Sequence, residues 1–224
     1  ELLKLLKIDL KKIGFFNTNF NSNTKFSLLI DKKFKVKNLV LNSDIQVNES
    51  EYKTSKSLDN YLEIKDNTIK FKNHKIKSNF KNNKFTINGS GKIKLQEIFE
   101  DINYSIDSDD KDFKFNSKLL LSELNFNSQE YLKNFITNLD KTTTLKDQKI
   151  EINLDKKKLL INGQGKIKFN NDFEDIVFRV SKIKDKFDFN TQLNLNETLL
   201  KIDFLNFEKN PKLKSQIKIS GSYD

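Results

Sequence analysis

The chain has 224 residues, with 41 lysines and arginines against 31 aspartates and glutamates, a formal charge of +10. It holds no cysteine, methionine, tryptophan or alanine, and only one proline (Pro211), one arginine (Arg179) and one histidine (His74). These absences exclude a disulfide framework, thiolate metal sites, a cysteine nucleophile and any multi-histidine metal centre, and no apolar run approaches the ~18 residues of a membrane-spanning helix.

A chain that starts at Glu1 and lacks methionine reads as a segment or a processed product, with any leader or anchor expected upstream. The excess of Lys and Asn over Ala, Pro, Arg and Gly follows AT-rich codon usage. Basic charge spread along the whole length, nearly all of it lysine, reads as a solvated surface. A nucleic-acid footprint clusters its charge and favours arginine, so no nucleic-acid partner is expected. Sparse aliphatic residues lean toward disorder. The apolar residues nevertheless fall in alternating stretches, as half-buried strands require.

In chain order, the N-terminal third predicts strands at Lys25–Ile30, Lys33–Leu41 and Asp44–Asn48, followed by a short helical stretch at Leu58–Leu62. Lys75–Phe80 predicts a strand carrying Ile76 and Phe80. Lys84–Leu95 places Phe85, Ile87, Gly89, Gly91, Ile93 and Leu95 at alternate positions. Asn88-Gly89 is a common hairpin turn. A turn there would move Lys92 and Lys94 onto the apolar face, so parity predicts one uninterrupted strand of roughly 36 Å. Glycines on its apolar face predict a bend, a bulge or close approach to the backbone. Asp101–Asp107 alternates Ile102, Tyr104 and Ile106; Lys111–Leu121 alternates Phe113, Phe115, Ser117, Leu119 and Leu121. Tyr131, Leu132, Phe135, Ile136 and Leu139 recur at helical spacing behind Ser128, an N-cap residue type.

The strand pattern then repeats. Lys75–Leu121 aligns without a gap on Lys149–Leu195, 74 residues later, with 20 of 47 positions identical. The centre of the match is Ile87-Asn-Gly-Ser-Gly-Lys-Ile-Lys94 against Ile161-Asn-Gly-Gln-Gly-Lys-Ile-Lys168. The helical stretches extend the unit upstream, to about 58–121 and 132–195. Weaker echoes flank it: Leu5–Asp9 in Leu199–Asp203, and Ile219–Ser222 in the Asn-Gly element.

The expected fold is therefore mainly β. It is an elongated antiparallel sheet of tandem ~74-residue units curved into a trough or groove, with short connecting helices. The expected organisation is a single elongated β domain over 1–224. It comprises a partial N-terminal unit at 1–50, a first unit at 51–121, a second at 125–195 and the start of a further partial unit at 196–224. The inward row, the candidate wall for apolar ligands, consists of Phe85, Ile87, Gly89, Gly91, Ile93, Phe113, Phe115, Leu119 and Leu121 in the first unit. Leu159, Ile161, Gly163, Gly165, Ile167, Phe187, Phe189, Leu193 and Leu195 form the same row in the second.

No set of polar residues assembles into an active site, so no catalytic, metal or cofactor role is expected. His74, replaced by Gln148 in the second unit, reads as a surface residue between strands. Asp107, Asp109, Asp110 and Asp112 face a basic stretch, 181–186, in the second unit, which favours a turn over a calcium loop. Glu100-Asp101 and Glu174-Asp175 recur, but neighbours on a strand point to opposite faces and cannot clasp one bond. They read as turns at the start of a strand. The Asn-Gly-x-Gly elements continue as strand, whereas a phosphate loop would open a helix. A segment of an outer-membrane barrel has similar alternation. The aromatic residues form no paired girdles here, and a predicted helix interrupts the strands.

The Ile-Asn-Gly-x-Gly-Lys-Ile strands, followed by alternating aromatic and aliphatic strands in tandem, resemble the AsmA-like superfamily of Gram-negative bacteria over roughly residues 50–224. That resemblance implies a periplasmic protein anchored upstream in the inner membrane. It also implies a hydrophobic β groove that holds or conducts phospholipid or other acyl lipids, supporting outer-membrane lipid transport or assembly, and an outer-membrane partner protein. It supplies no catalytic residues. The alternative is a structural or adhesive β-repeat protein whose sheets cover each other and hold no lipid.

Overall fold

In the computed structural model, the structure describes residues 14–54, 62, 64–128, 140–169, 172–202 and 205–223. The chain is mainly β, and the described residues contain no α-helix. The strands are β1 (Phe15–Ile30), β2 (Val36–Lys53), β3 (Thr68–Lys81), β4 (Lys84–Lys94), β5 (Phe99–Ser108), β6 (Phe113–Asn127), β7 (Thr142–Asp155), β8 (Lys158–Lys168), β9 (Phe173–Ile183), β10 (Lys186–Leu195), β11 (Leu200–Ile202), β12 (Phe207–Lys209) and β13 (Ser215–Tyr223). One antiparallel, unclosed sheet of 11 strands runs in the order β1-β2-β3-β4-β5-β6-β7-β8-β9-β10-β13, and β11 pairs with β12 in a separate ribbon. The described residues fall into two compact units, 14–54 with 64–117, and 62 with 118–223.

β4 passes through Asn88-Gly89 without reversing, so parity was the correct guide there. Ile87 pairs with Ser78 and Ile106, Gly89 with Ile76 and Tyr104, and Ile93 with Phe71 and Glu100. Cross-strand partners share a face, so these pairs carry one apolar surface across β3, β4 and β5. The N-terminal third differs from expectation. The predicted strand over Lys33–Leu41 is cut by a turn, and the predicted break near Asn42–Asp44 does not exist. Asp31 makes the turn: its Oδ1 accepts the amides of Lys33 (2.8 Å) and Lys35 (3.0 Å). The polar Asn42, Asp44 and Gln46 occupy the opposite face from Leu41, Ile45 and Val47, so the ladder continues through them. The predicted helix at 128–139 and its shorter counterpart at 58–62 lie outside the described residues, apart from Ser128 and from Leu62, which bridges to Phe126.

β3 contains a bulge in which two residues, Asn73 and His74, oppose the single Gly91 of β4. Asn73 adopts φ 54°, the left-handed region that Asn tolerates best after Gly. The extra residue shifts the parity of β3, so Phe71 before the bulge and Ile76 after it face the same way. The same geometry occurs 74 residues on: Asp147 (φ 51°) and Gln148 oppose Gly165. On the opposite, polar face, Lys72 and Lys94 flank the Phe99 ring at 5.8 and 6.0 Å. Lys146 and Lys168 flank Phe173 in the same way at 5.2 and 5.9 Å.

The second unit has a packed core of Ile167, Phe169, Ile176, Leu193, Leu195 and Leu200, against which Phe126, Leu145, Phe178, Ile202 and Ile217 pack. Leu200 and Ile202 come from β11, so the β11–β12 ribbon contributes directly to this core. The loop before the ribbon is clamped by two buried charges. Glu174 accepts the amides of Asn196 (2.8 Å), Glu197 (2.7 Å) and Thr198 (2.7 Å). Lys209 Nζ donates to the carbonyls of Asn196 and Thr198, both at 2.9 Å. The two residues satisfy opposite polarities of one peptide segment, which lets both be buried. Glu174 and Glu100 were expected in turns at the start of a strand; both are buried inside strands, with the adjacent Asp exposed. Glu174→Ala leaves the amides of Asn196, Glu197 and Thr198, the last of them buried, without their acceptor and is expected to cost roughly 2 kcal/mol, read as a lower urea midpoint. Glu174→Gln, which retains one acceptor oxygen, should lose less.

Candidate functional site

In the first unit the apolar face is hollow. A cavity of about 450 Å³ opens on it. β1 supplies Phe15, Thr18 and Phe20; β2 supplies Val47 and Ser50; β3 supplies Phe71, His74 and Ile76; β5 supplies Ile102, Tyr104 and Ile106; β6 supplies Phe115. The Thr18 and Ser50 hydroxyls bond each other at 2.8 Å, which removes their demand for water from an otherwise apolar wall.

β4 adds no side chain to this wall, and its glycines explain why. A Cβ on Gly89 would lie 2.3 Å from Tyr104 Cζ, and one on Gly91 would lie 2.4 Å from His74 Cγ. Only a bare backbone lets the two rings lie across the strand. They extend a run of aromatic neighbours: Tyr52 to Phe15 (5.2 Å between centroids), Phe15 to Phe71 (5.8 Å), Phe71 to His74 (5.6 Å) and His74 to Tyr104 (5.8 Å).

His74 is therefore no surface residue; it is 4% exposed. The bulge turns it inward, which single-residue pattern reading does not anticipate. Its Nε2 lies 3.0 Å from the Lys92 carbonyl, an acceptor, so Nε2 carries the proton. Nδ1 is then the acceptor for the Tyr104 hydroxyl at 3.3 Å. Burial holds the imidazole below its ordinary pKa, against the smaller opposing effect of the Lys92 carbonyl. Burial also pushes the Tyr104 phenol up to about 12. Both groups are neutral at pH 7, so this part of the wall is uncharged and aromatic.

The second unit has a related arrangement. Gln148 Nε2 donates to the Lys166 carbonyl at 2.7 Å, the position equivalent to Lys92, and Gln148 lies over Gly165. The ring over Gly163 is Phe178, which lacks the hydroxyl of Tyr104. Gln148 Oε1 is correspondingly buried with no hydrogen-bond partner among the described residues.

The predicted wall residues separate into four groups. Phe115 reaches the cavity. Gly89, Gly91, Gly163 and Gly165 are roofed by neighbouring side chains. Ile93, Leu119, Leu121, Ile167, Leu193 and Leu195 are buried in the packed interior. Phe85, Phe187 and Phe189 are exposed, and Ile87, Phe113, Leu159 and Ile161 are half-buried. The contribution of β1 and β2 was not anticipated; the parity change between Phe71 and Ile76 was the signal for the bulge that joins Phe71 and His74 to the wall. Asp109 forms a tight turn, its Oδ1 accepting the amides of Lys111 (2.8 Å) and Asp112 (2.7 Å).

Two outcomes follow. Because the His74 pKa is lowered on folding from 6.5, the unfolded chain takes up a proton that the folded chain refuses. Stability is full above about pH 6.5 and falls as pH drops through that value toward the lower folded pKa. His74→Gln, the residue already present at 148, should keep the bond to Lys92 and flatten this loss between pH 7.5 and 5.5; a parallel decline of both urea midpoints would assign the loss elsewhere. Phe178→Tyr should give Gln148 Oε1 its missing donor and raise stability by about 1 kcal/mol, measured the same way. No protein-family model, curated protein or solved structure matches the chain.

Proposed function

We propose that the chain binds an acyl chain, of phospholipid or another lipid, in the hollow of its first unit. The observation that carries this reading is an open cavity of about 450 Å³ whose polar wall groups are already hydrogen-bonded within the protein. The volume falls in the range of small-molecule sites, ~300–1,000 Å³. An aromatic and aliphatic wall offers no directional bonds to a polar ligand, so what it rewards is removal of hydrocarbon from water. Ten buried methylenes contribute about 8 kcal/mol, and lost translational and rotational freedom offsets roughly half or more of that. Long chains bind on this reading and short ones do not.

The wider proposal follows the sequence. The 74-residue stretches are tandem units, supported by the recurring bulge, the ring-over-glycine packing and the lysine–phenylalanine–lysine arrangement. The chain would form part of an AsmA-like protein of the periplasm, anchored to the inner membrane upstream, conducting lipid toward the outer membrane or a partner there. No covalent step is involved. A structural or adhesive role is the second reading, favoured by the packed face of the second unit, where Leu195 and Leu200 are buried by the chain's own residues.

Displacement of a fluorescent fatty acid by palmitate tests the proposal. Phe115→Asp places a charge in the wall and should weaken binding at least tenfold, with the sheet signal in circular dichroism retained. A folded wild-type chain that takes up no long-chain probe would leave the structural reading standing.

A further inference from the structure

We infer that the tip of the β1–β2 hairpin, residues 25–37, inserts into the surface of an anionic lipid bilayer. This is separate from the cavity, and the observations lie in the turn itself. Phe26, Leu29, Ile30, Phe34 and Val36 are all exposed, Phe34 by 90%. Five lysines surround them, Lys25, Lys32, Lys33, Lys35 and Lys37, against one acidic residue, Asp31. Asp31 is already engaged, by the Lys33 and Lys35 amides and by Lys37 Nζ at 3.2 Å. Among the described residues the other four lysines meet no carboxylate.

The backbone adds a second, independent observation. Phe34 has φ 58°, in the left-handed region. The other described non-glycine residues with positive φ are Asn, Asp or Lys. A bulky ring is disfavoured in that conformation, and at 90% exposure it gains almost no packing within the chain in return. Asn or Gly would make the same turn with less strain. A strained, exposed aromatic at the apex of a hairpin marks a contact made outside the chain.

The charge pattern selects the occupant. Apolar side chains at the apex with lysines around them match the depth profile of a bilayer boundary, hydrocarbon below and phosphate above. Lysine stems lie along the apolar surface while their ammonium groups stay at phosphate level. Each lysine near an anionic leaflet strengthens binding about fivefold. A protein groove that took the same five apolar side chains would also have to meet the lysines with carboxylates.

The full chain is tested with vesicles of phosphatidylcholine alone and of an equimolar mixture with phosphatidylglycerol. The chain has no tryptophan, so Phe34→Trp is a unique fluorophore at the apex. Its emission should shift to the blue and be quenched by brominated acyl chains only with the anionic vesicles, and high salt should reverse both. Phe34→Asn should lower co-sedimentation at least tenfold while its urea midpoint stays equal or rises, because the turn is relaxed. Lys32→Gln, Lys33→Gln and Lys35→Gln together should lower it on the order of a hundredfold. Phe115→Asp should bind vesicles like the wild type, which separates this surface from the cavity. Vesicle binding that is absent, or unchanged in Phe34→Asn, overturns the inference. So does a blue shift that grows with protein concentration without vesicles, which would place a second copy on the tip.

Discussion

Bare backbone in the middle of a strand is the constraint from which most of this structure follows. At Gly89 and Gly91 there is no side chain to hold a neighbouring ring away, so Tyr104 and His74 lie flat across β4. His74 can do so only because the bulge at Asn73 turns it inward, and the bulge in turn needs a partner position without a Cβ. Glycine, bulge and ring are thus one device. It weakens β4 as an isolated strand, since glycine loses the most entropy on folding, and compensates through aromatic contact from both sides. The device also lowers the floor of the sheet locally, and the cavity opens beside it.

The two units use similar strands toward different ends. In the second, the β11–β12 ribbon is drawn onto the sheet by Glu174 and Lys209, and Leu200 joins a closed core. In the first, the corresponding face keeps an open volume. Chemistry differs in the same direction: the polar pair His74–Tyr104 is mutually satisfied, whereas Gln148 faces Phe178 and keeps an orphaned oxygen. The hollow unit keeps its buried polar pair satisfied, and the filled unit tolerates a small defect beneath its own packing.

Much of the strand content was legible in the sequence because alternation is a local property. Phe85 to Ile93 announces one face regardless of what packs on it, and it overrode the hairpin signal of Asn88-Gly89. The failures are non-local or lack a common signature. The Asp31–Lys35 turn contains no Gly, Asn or Pro, and a Phe occupies its left-handed position, so its one turn signal is Asp31, whose carboxylate accepts amides just downstream, as that of Asp109 does in another turn. Asn42–Asp44 looks like a break yet is only the wet side of a long strand. His74 seemed incidental because one residue carries no period; its burial depends on a register shift between β3 and β4. Glu174 acquires its role from amides more than twenty residues downstream, which no window around it contains.

The strand order also has two ends, β1 and β13, and each leaves one row of amides and carbonyls without a strand partner among the described residues. Those margins are unequal. β1 is irregular near Phe16–Phe20, where its register against β2 shifts twice, and it is studded with Asn and Ser. Such a border resists docking by another chain. β13 meets β10 in unbroken register from Ser215 to Tyr223. A sheet bounded in this way is polar in the sense of a growing lattice: one side is blunted, and new β structure would be templated on the other.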